Sequence, residues 1–323
     1  MKSVICTKYG TPDVLQIKEL EKPVPKDNEV LIRIYATPVT SGDARIRRAD
    51  PFIIRLIFGF KKPRQPVLGV VLSGEIESIG KKVTQFKEGD KVFGTTGMSF
   101  GAYAQYKCIP EDGVLALKPE NMTYEEAAAI PFGATAALDF LKKGNIHSYT
   151  NGSDRKKVLI YGASGDLGTI GVQLAKYYGA EVTAVCSTSN IEFVKSLGAD
   201  KVIDYIKEDF AQNGIKYDII FETVGKSDYS GCIKSLTNNG TLMLANGGLS
   251  LMLKGIWTSV FTNKKVIAGV IKERAEDLIF FKELIESGKL KAVIDRQYPL
   301  EQISEAHAYV DKGHKKGSVV VTI

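Results

Sequence analysis

The chain has 323 residues, with 43 Lys and Arg against 37 Asp and Glu, and 44% of it is hydrophobic. That length is enough for two domains of ordinary size, each with its own core. The net charge of +6 is spread through mixed-sign sequence, which argues against a nucleic-acid partner, and the apolar stretches break too early to span a bilayer.

Four scattered cysteines (Cys6, Cys108, Cys186 and Cys232) show neither a disulfide framework nor metal-ligand spacing. Residues 1–8 are too short in their apolar part for a secretion signal, so a reducing cytoplasm is the expected location.

Residues 1–120 read as mostly β. The run 30–35 partly alternates, 67–80 is a long β-rich run broken by glycines, 87–93 is a turn feeding a strand, and 101–108 is a further strand. Short strands with glycine turns suggest a small irregular barrel. Within this region 52–60 is unusually apolar for a loop and is followed by Lys61, Lys62 and Arg64.

Near Met122 the texture changes. Thr123, with Glu126 three residues on, forms a capping box that opens a helix. The Ala-rich run ends at Pro131 and a second helix begins at Phe132. From Val158 the pattern alternates, with strands near 158–161, 181–186, 201–204, 217–221, 240–245 and 265–268 and helices between them. That is the rhythm of an α/β doubly wound parallel sheet. A helix follows at about 274–287, and 317–323 is again β-rich.

The densest signal lies at 158–179. An apolar strand runs into Gly162, Gly165, Gly168 and Gly171, and helical spacing of Ile170, Leu174 and Tyr177 then ends at Gly179. Strand, glycine turn and helix form the context of a dinucleotide fingerprint: bare backbone admits a pyrophosphate, and the helix start offers unpaired N–H groups. Ala163 stands in place of the first glycine, with Gly165 and Gly168 in register. The candidate phosphate cradle is Ala163, Ser164, Gly165, Asp166, Leu167 and Gly168.

After the second strand an acidic residue would favour NAD. Ser187, Ser189 and Asn190 stand there instead, and they accept a 2′-phosphate without repelling it, which points to NADPH. The same residues would also cap the next helix. Asn246, Gly247 and Gly248 follow the fifth strand at its C-terminal end, where ligands sit in such sheets.

Four segments together, 69–80, 86–94, 162–168 and 197–205, resemble the medium-chain dehydrogenase/reductase superfamily in its zinc-independent, quinone oxidoreductase-like branch. The resemblance implies a GroES-like β-barrel domain from 1–122 and 271–323, with a Rossmann dinucleotide-binding domain at 123–270 and a nicotinamide site in the cleft. It adds Thr135, Tyr205, Lys316 and Ser318 to the cofactor-binding candidates and suggests a homodimer formed by edge pairing of the Rossmann sheets. Thr40-Ser41-Gly42-Asp43 occupies the segment that is often Asn-Pro-x-Asp-like in the quinone reductases. Thr40 and Asp43 are therefore catalytic candidates, with Asp43 alternatively bracing the loop. Arg45 is a candidate for stabilising enolate charge or attracting an anionic substrate, with a solvated basic loop as the plain alternative.

Zinc is not expected. The histidines are His147, His307 and His314, all outside the barrel region where a ligand belongs, and Gly69-Val70-Val71 stands where zinc members carry Gly-His-Glu. Without a Lewis acid, hydride transfer to a quinone or an α,β-unsaturated carbonyl is easier than oxidation of a simple alcohol. A nicotinamide-binding redox sensor with little turnover is the competing expectation. The apolar segments 52–60 and 249–261 are expected to wall an apolar substrate pocket or to make a subunit contact. Tyr103 and Lys107 mimic the Tyr-x-x-x-Lys acid pair of short-chain dehydrogenases, but they precede the glycine turn on a strand-like segment and are set aside.

Overall fold

A computed structural model describes residues 1–146 and 155–323. They divide into two compact units, Met1–Phe132 with Arg274–Ile323, and Gly133–Glu273. In chain order the first unit opens with β1 (Lys2–Cys6), β2 (Leu15–Glu19) and β3 (Glu29–Pro38), followed by helices α1 (Ser41–Arg48) and α2 (Ile54–Phe58). Then come β4 (Val71–Ile79), β5 (Lys91–Thr95), β6 (Tyr106–Pro110), β7 (Leu115–Leu117) and the short helix α3 (Tyr124–Ala128).

Helix α4 (Pro131–Lys143) leads into the second unit, which continues with β8 (Lys157–Tyr161), α5 (Asp166–Tyr177) and β9 (Glu181–Cys186). The chain goes on through α6 (Ile191–Ser196), β10 (Lys201–Asp204), β11 (Tyr217–Glu222), α7 (Tyr229–Ser235), β12 (Leu236–Leu244), α8 (Leu249–Phe261) and β13 (Lys265–Ala268). The return segment adds α9 (Ala275–Glu286), β14 (Ile294–Pro299), α10 (Ile303–Asp311) and β15 (Ser318–Thr322) to the first unit.

The first unit is organised on β3. It pairs antiparallel with β4 along one edge and with β6 and β15 along the other, in a sheet ordered β14-β15-β3-β4-β5-β7. Val30, Ile32 and Ile34 alternate with less buried neighbours and face Leu72, Ile76, Val92 and Ile109 in one core. A second core joins the two ends of the chain: Val4 and Leu15 pack with Leu68, Tyr103, Ile303, Val319 and Val321. Thr123 caps α3 in the capping box that its spacing predicts, donating and accepting with Glu126.

The second unit holds a six-stranded parallel sheet ordered β10-β9-β8-β11-β12-β13. Val158, Leu159 and Ile160 are wholly buried, as an unbroken apolar run demands when helices cover both faces. The chain winds outward from β8 to β10, then crosses back to start β11 beside β8. Two boundaries differ from the sequence expectation. Strand β12 begins at Leu236 rather than near 240, because Leu236 reaches Tyr217 across a shifted register that the polar Thr237-Asn238-Asn239 conceals. The strand expected at 101–108 runs instead from Tyr106 to Pro110, and the residues before it, after the turn of Gly101 at φ +95, make an isolated bridge from Ala104 to Ser3. No helix among the described residues is long and apolar enough to cross a membrane.

Candidate dinucleotide site

The glycines between β8 and α5 are there for steric reasons. Gly162 has φ +82, and a Cβ on it would lie 2.7 Å from both Thr223 Oγ1 and Val224 Cγ1. A Cβ on Gly168 would lie 2.2 Å from the Gly162 carbonyl, so only glycine lets the first turn of α5 settle on the loop. Gly165 is the N-cap of α5, extended at φ −79 and ψ 176, and it makes no side-chain cap. Its missing Cβ has only the Gly162 carbonyl nearby, at 3.5 Å. The start of this 12-residue helix therefore carries no side-chain cap at Gly165, and a helix N-terminus of this kind suits an anion.

Around this turn, Ala163 is buried with its N–H donating to the Val185 carbonyl at 3.0 Å. Asp166 is buried in the first turn of α5, whereas Ser164 and Leu167 are half-buried. A Cβ on Gly133 would stand 3.0 Å from Asp166 Oδ1, so the start of α4 packs on the start of α5. Thr135 is wholly buried in α4.

The C-terminal end of β9 joins the same cluster. Asn190 Nδ2 donates to Ser164 Oγ and to Ser187 Oγ, each at 3.1 Å, and Ser187 Oγ lies 3.4 Å from Ser189 Oγ. Asn190 Oδ1 is buried without a partner among the described residues. Asp204, at the end of β10, is already engaged: Thr188 Oγ1 donates to it at 2.6 Å and the Ile206 N–H at 3.1 Å, which holds its carboxyl below the usual range. Tyr205 is half-exposed beside it, its N–H donating to the Cys186 carbonyl at 3.2 Å. Open helix amides, short hydroxyls and an unsatisfied buried amide oxygen fit the phosphates and ribose hydroxyls of a nicotinamide dinucleotide.

Across the β8–β11 crossover, Thr223 Oγ1 donates to the Tyr161 carbonyl at 2.8 Å and Asn246 Nδ2 donates to the Thr223 carbonyl at 2.6 Å. Gly247 is half-buried and Gly248 exposed where β12 ends. Sequence reasoning missed Glu222, whose buried carboxylate accepts N–H bonds from Val224, Gly225 and Lys226 in its own loop. Burial raises its carboxyl above the usual range, against the pull of those amides. An acidic side chain closing an otherwise apolar strand, immediately before Thr-Val-Gly, is the sequence signal that marks it.

In the first unit the three catalytic candidates part company. Thr40 is the N-cap of α1: its Oγ1 accepts from the Asp43 N–H at 3.0 Å and donates to Asp43 Oδ2 at 2.6 Å. The Thr40 N–H also donates to Asp43 Oδ2, at 3.1 Å, and the Gly69 N–H to Asp43 Oδ1, at 3.2 Å. Both residues are wholly buried, so Asp43 braces the segment, and burial pushes its carboxyl up to about 6. Arg45, two residues on, is exposed. Arg47 is wholly buried, bonding His307 Nδ1 at 3.3 Å, the Gly10 carbonyl and Asp311. Burial first, and then the Arg47 charge, hold His307 down to about 3. The half-buried Lys316 donates its N–H to Asp295 at 2.9 Å, and Ser318 is buried at the start of β15.

The donor set does not fit zinc. His307 is turned to Arg47, His314 is exposed, His147 lies outside the described residues, and no three His, Cys, Asp or Glu side chains among the described residues converge as a metal site.

Residues 26–119 match the alcohol dehydrogenase GroES-like domain, and residues 197–321 match a domain described as zinc-binding dehydrogenase. Over 313 residues the chain is 31% identical to the chloroplast envelope quinone oxidoreductase homolog of Arabidopsis thaliana, covering 95% of this chain and 93% of that one. The chain belongs to the medium-chain dehydrogenase/reductase family. A second family member, the chloroplastic NADPH-dependent alkenal/one oxidoreductase of Arabidopsis thaliana, is 31% identical over 99% of this chain and 79% of its own. The solved quinone oxidoreductase of Coxiella burnetii superposes with a TM-score of 0.89 at 26% identity, covering 100% of this chain and 99% of that one. The family thus includes members named for quinone and for alkenal/one reduction, the latter named NADPH-dependent. The second matched domain carries a zinc-binding description, while the described histidines, His307 and His314, are not arranged to bind zinc.

Proposed function

We propose that this chain is a zinc-free, NADPH-dependent reductase that transfers hydride to a quinone or to the double bond of an α,β-unsaturated carbonyl. The observation that carries the cofactor choice is the end of β9, where the hydroxyls of Ser187 and Ser189 and the amide of Asn190 stand beside the glycine turn with no carboxylate of their own. A 2′-phosphate meets donors there rather than a competing charge.

The reduced nicotinamide, when bound, supplies the hydride. The chain supplies position. The first amides of α5 and the bare backbone of Gly165 receive the pyrophosphate, with Thr135, Asn246, Gly247 and Gly248 lining the way to the ring. Thr40 and Asp43 act as positioning residues that fix the start of α1. Arg45 is the exposed cation of this segment, offered to enolate charge that develops on the acceptor. Lys316 and Ser318 complete the proposed cofactor contacts. The catalytic domain is 1–122 with 271–323 and the dinucleotide domain is 123–270.

Exposed apolar side chains support a bulky apolar acceptor: Phe52, Ile53, Leu56, Ile57 and Phe60 around α2, and Trp257 and Phe261 stacked on α8. The second group also suits a homodimer contact. The protein works in the cytoplasm without a nucleic-acid partner. The test is oxidation of NADPH and NADH, each against benzoquinone, phenanthrenequinone and an unsaturated aldehyde. Turnover that favours NADPH supports the reading. Tight NADPH binding without turnover on any acceptor replaces it with a redox sensor.

A further inference from the structure

We infer that Glu222 is a positioning residue for the nicotinamide half of the cofactor, acting through the loop 223–226 that it holds against the glycine turn. The inference rests on the dinucleotide reading of this sheet end and adds a residue and a role to it.

Its two oxygens collect the backbone of a single loop. Oε1 accepts from the Val224 N–H at 3.2 Å, from Gly225 at 2.7 Å and from Lys226 at 3.2 Å, and Oε2 accepts from Gly225 at 2.6 Å. Gly225 turns through φ +76 to make this possible. The side chain is 1% exposed, so a carboxylate has been taken out of water to order four residues. Desolvating a charge for that purpose is costly, and a plain turn needs no more than the glycine.

What the ordered loop touches explains the arrangement. Thr223 and Val224 lie over Gly162, within 2.7 Å of where its Cβ would stand. Thr223 is tied to β8 through the Tyr161 carbonyl and to β12 through Asn246. The Cβ position of Gly225 is 3.2 Å from the Asn246 Cβ. Glu222 therefore locks together the ends of β8, β11 and β12, at the point where strand order reverses.

A dinucleotide lies across such a reversal with one mononucleotide on each side. The β9 side carries Ser187, Ser189 and Asn190, which suit the adenosine 2′-phosphate, so the β11–β12 side takes the nicotinamide. Val224, 39% exposed at the tip of the loop, is the apolar surface presented to that half.

This division gives a test with two arms. Glu222→Gln replaces one acceptor oxygen by an amide N–H2 group facing backbone donors and loosens the loop. Binding of NADPH and of the fragment 2′,5′-ADP, which lacks the nicotinamide, is measured by calorimetry on the full-length wild type and variant. The expected result is an NADPH Kd raised about tenfold or more with the 2′,5′-ADP Kd unchanged. In steady state the KM for NADPH rises while the KM for the quinone stays put.

Equal NADPH affinity in the variant overturns the proposal. So does a parallel loss of both ligands, which marks a merely structural residue. If wild type binds neither ligand, the dinucleotide reading itself fails, and the proposal with it. Should Glu222→Gln not fold, Thr223→Val removes the hydroxyl ties to the Tyr161 and Gly162 carbonyls, and the same split between the two ligands is expected.

Discussion

Two polar clusters, one in each unit, show how similar residue types reach opposite ends. At the glycine turn, Ser164, Ser187, Ser189 and Asn190 bond loosely among themselves and leave a buried acceptor open beside the start of α5. In the first unit, Thr40 and Asp43 close on each other and on the Gly69 N–H, and Arg47 closes on His307, Gly10 and Asp311. The first arrangement suits the dinucleotide proposed above. The second is a scaffold. A Thr-x-x-Asp pattern reads as catalytic from family position and as a helix cap from geometry, and here the cap uses every oxygen of Asp43.

The comparison breaks most sharply at Gly168. Gly168→Val puts side-chain atoms where the Gly162 carbonyl already stands 2.2 Å from the first of them, which costs about 3 kcal/mol or more and abolishes NADPH binding. Urea denaturation and cofactor titration check both effects. Asp43→Ala comes next, removing the carboxylate half of the α1 capping box and stranding the Thr40 and Gly69 N–H groups. The expected loss is about 3 kcal/mol of stability with NADPH affinity retained in the folded fraction.

The pH dependence of this scaffold follows from two opposed shifts. His307 titrates near 6.5 when unfolded and at about 3 when folded, so its contribution is present above 6.5 and is lost as pH falls towards 3. Asp43 moves from 3.8 to about 6, so its contribution is present below 3.8 and is lost as pH rises through 6. Between 3.8 and about 6 the two shifts offset each other, and His307 weakens the fold towards acid outside that overlap. His307→Gln should flatten that acid limb in a series of urea midpoints, and an unchanged limb would show that another group carries it.

Smaller effects sharpen the ligand side. Ser187→Asp places a negative charge where the 2′-phosphate is proposed to sit, shifting the ratio of NADPH to NADH specificity by about tenfold or more towards NADH. Arg45→Ala should leave stability within about 0.5 kcal/mol because the side chain is exposed, while lowering kcat on enones. An unchanged kcat would remove Arg45 from the chemistry.

What could be read from the sequence follows from where the constraint lies. The glycine turn was legible because backbone geometry admits no other residue at Gly162 and Gly168. The parallel strands were legible because burial on both faces writes an apolar run, as at 158–160. The Arg47–His307 contact joins residues 260 positions apart and leaves no local trace. Glu222 was hidden for a different reason: its partners are the amides of Val224, Gly225 and Lys226, and they converge only once Gly225 turns through φ +76. The first residues of β12 were masked because Thr237 and the two asparagines carry turn chemistry that tertiary pairing overrides.

The most direct test of the central claim is NADPH oxidation with benzoquinone, using protein dialysed against a strong chelator and compared with the same protein given zinc. The account predicts equal rates in the two samples and faster turnover with NADPH than with NADH. Activity that vanishes on chelation and returns only with zinc would contradict it.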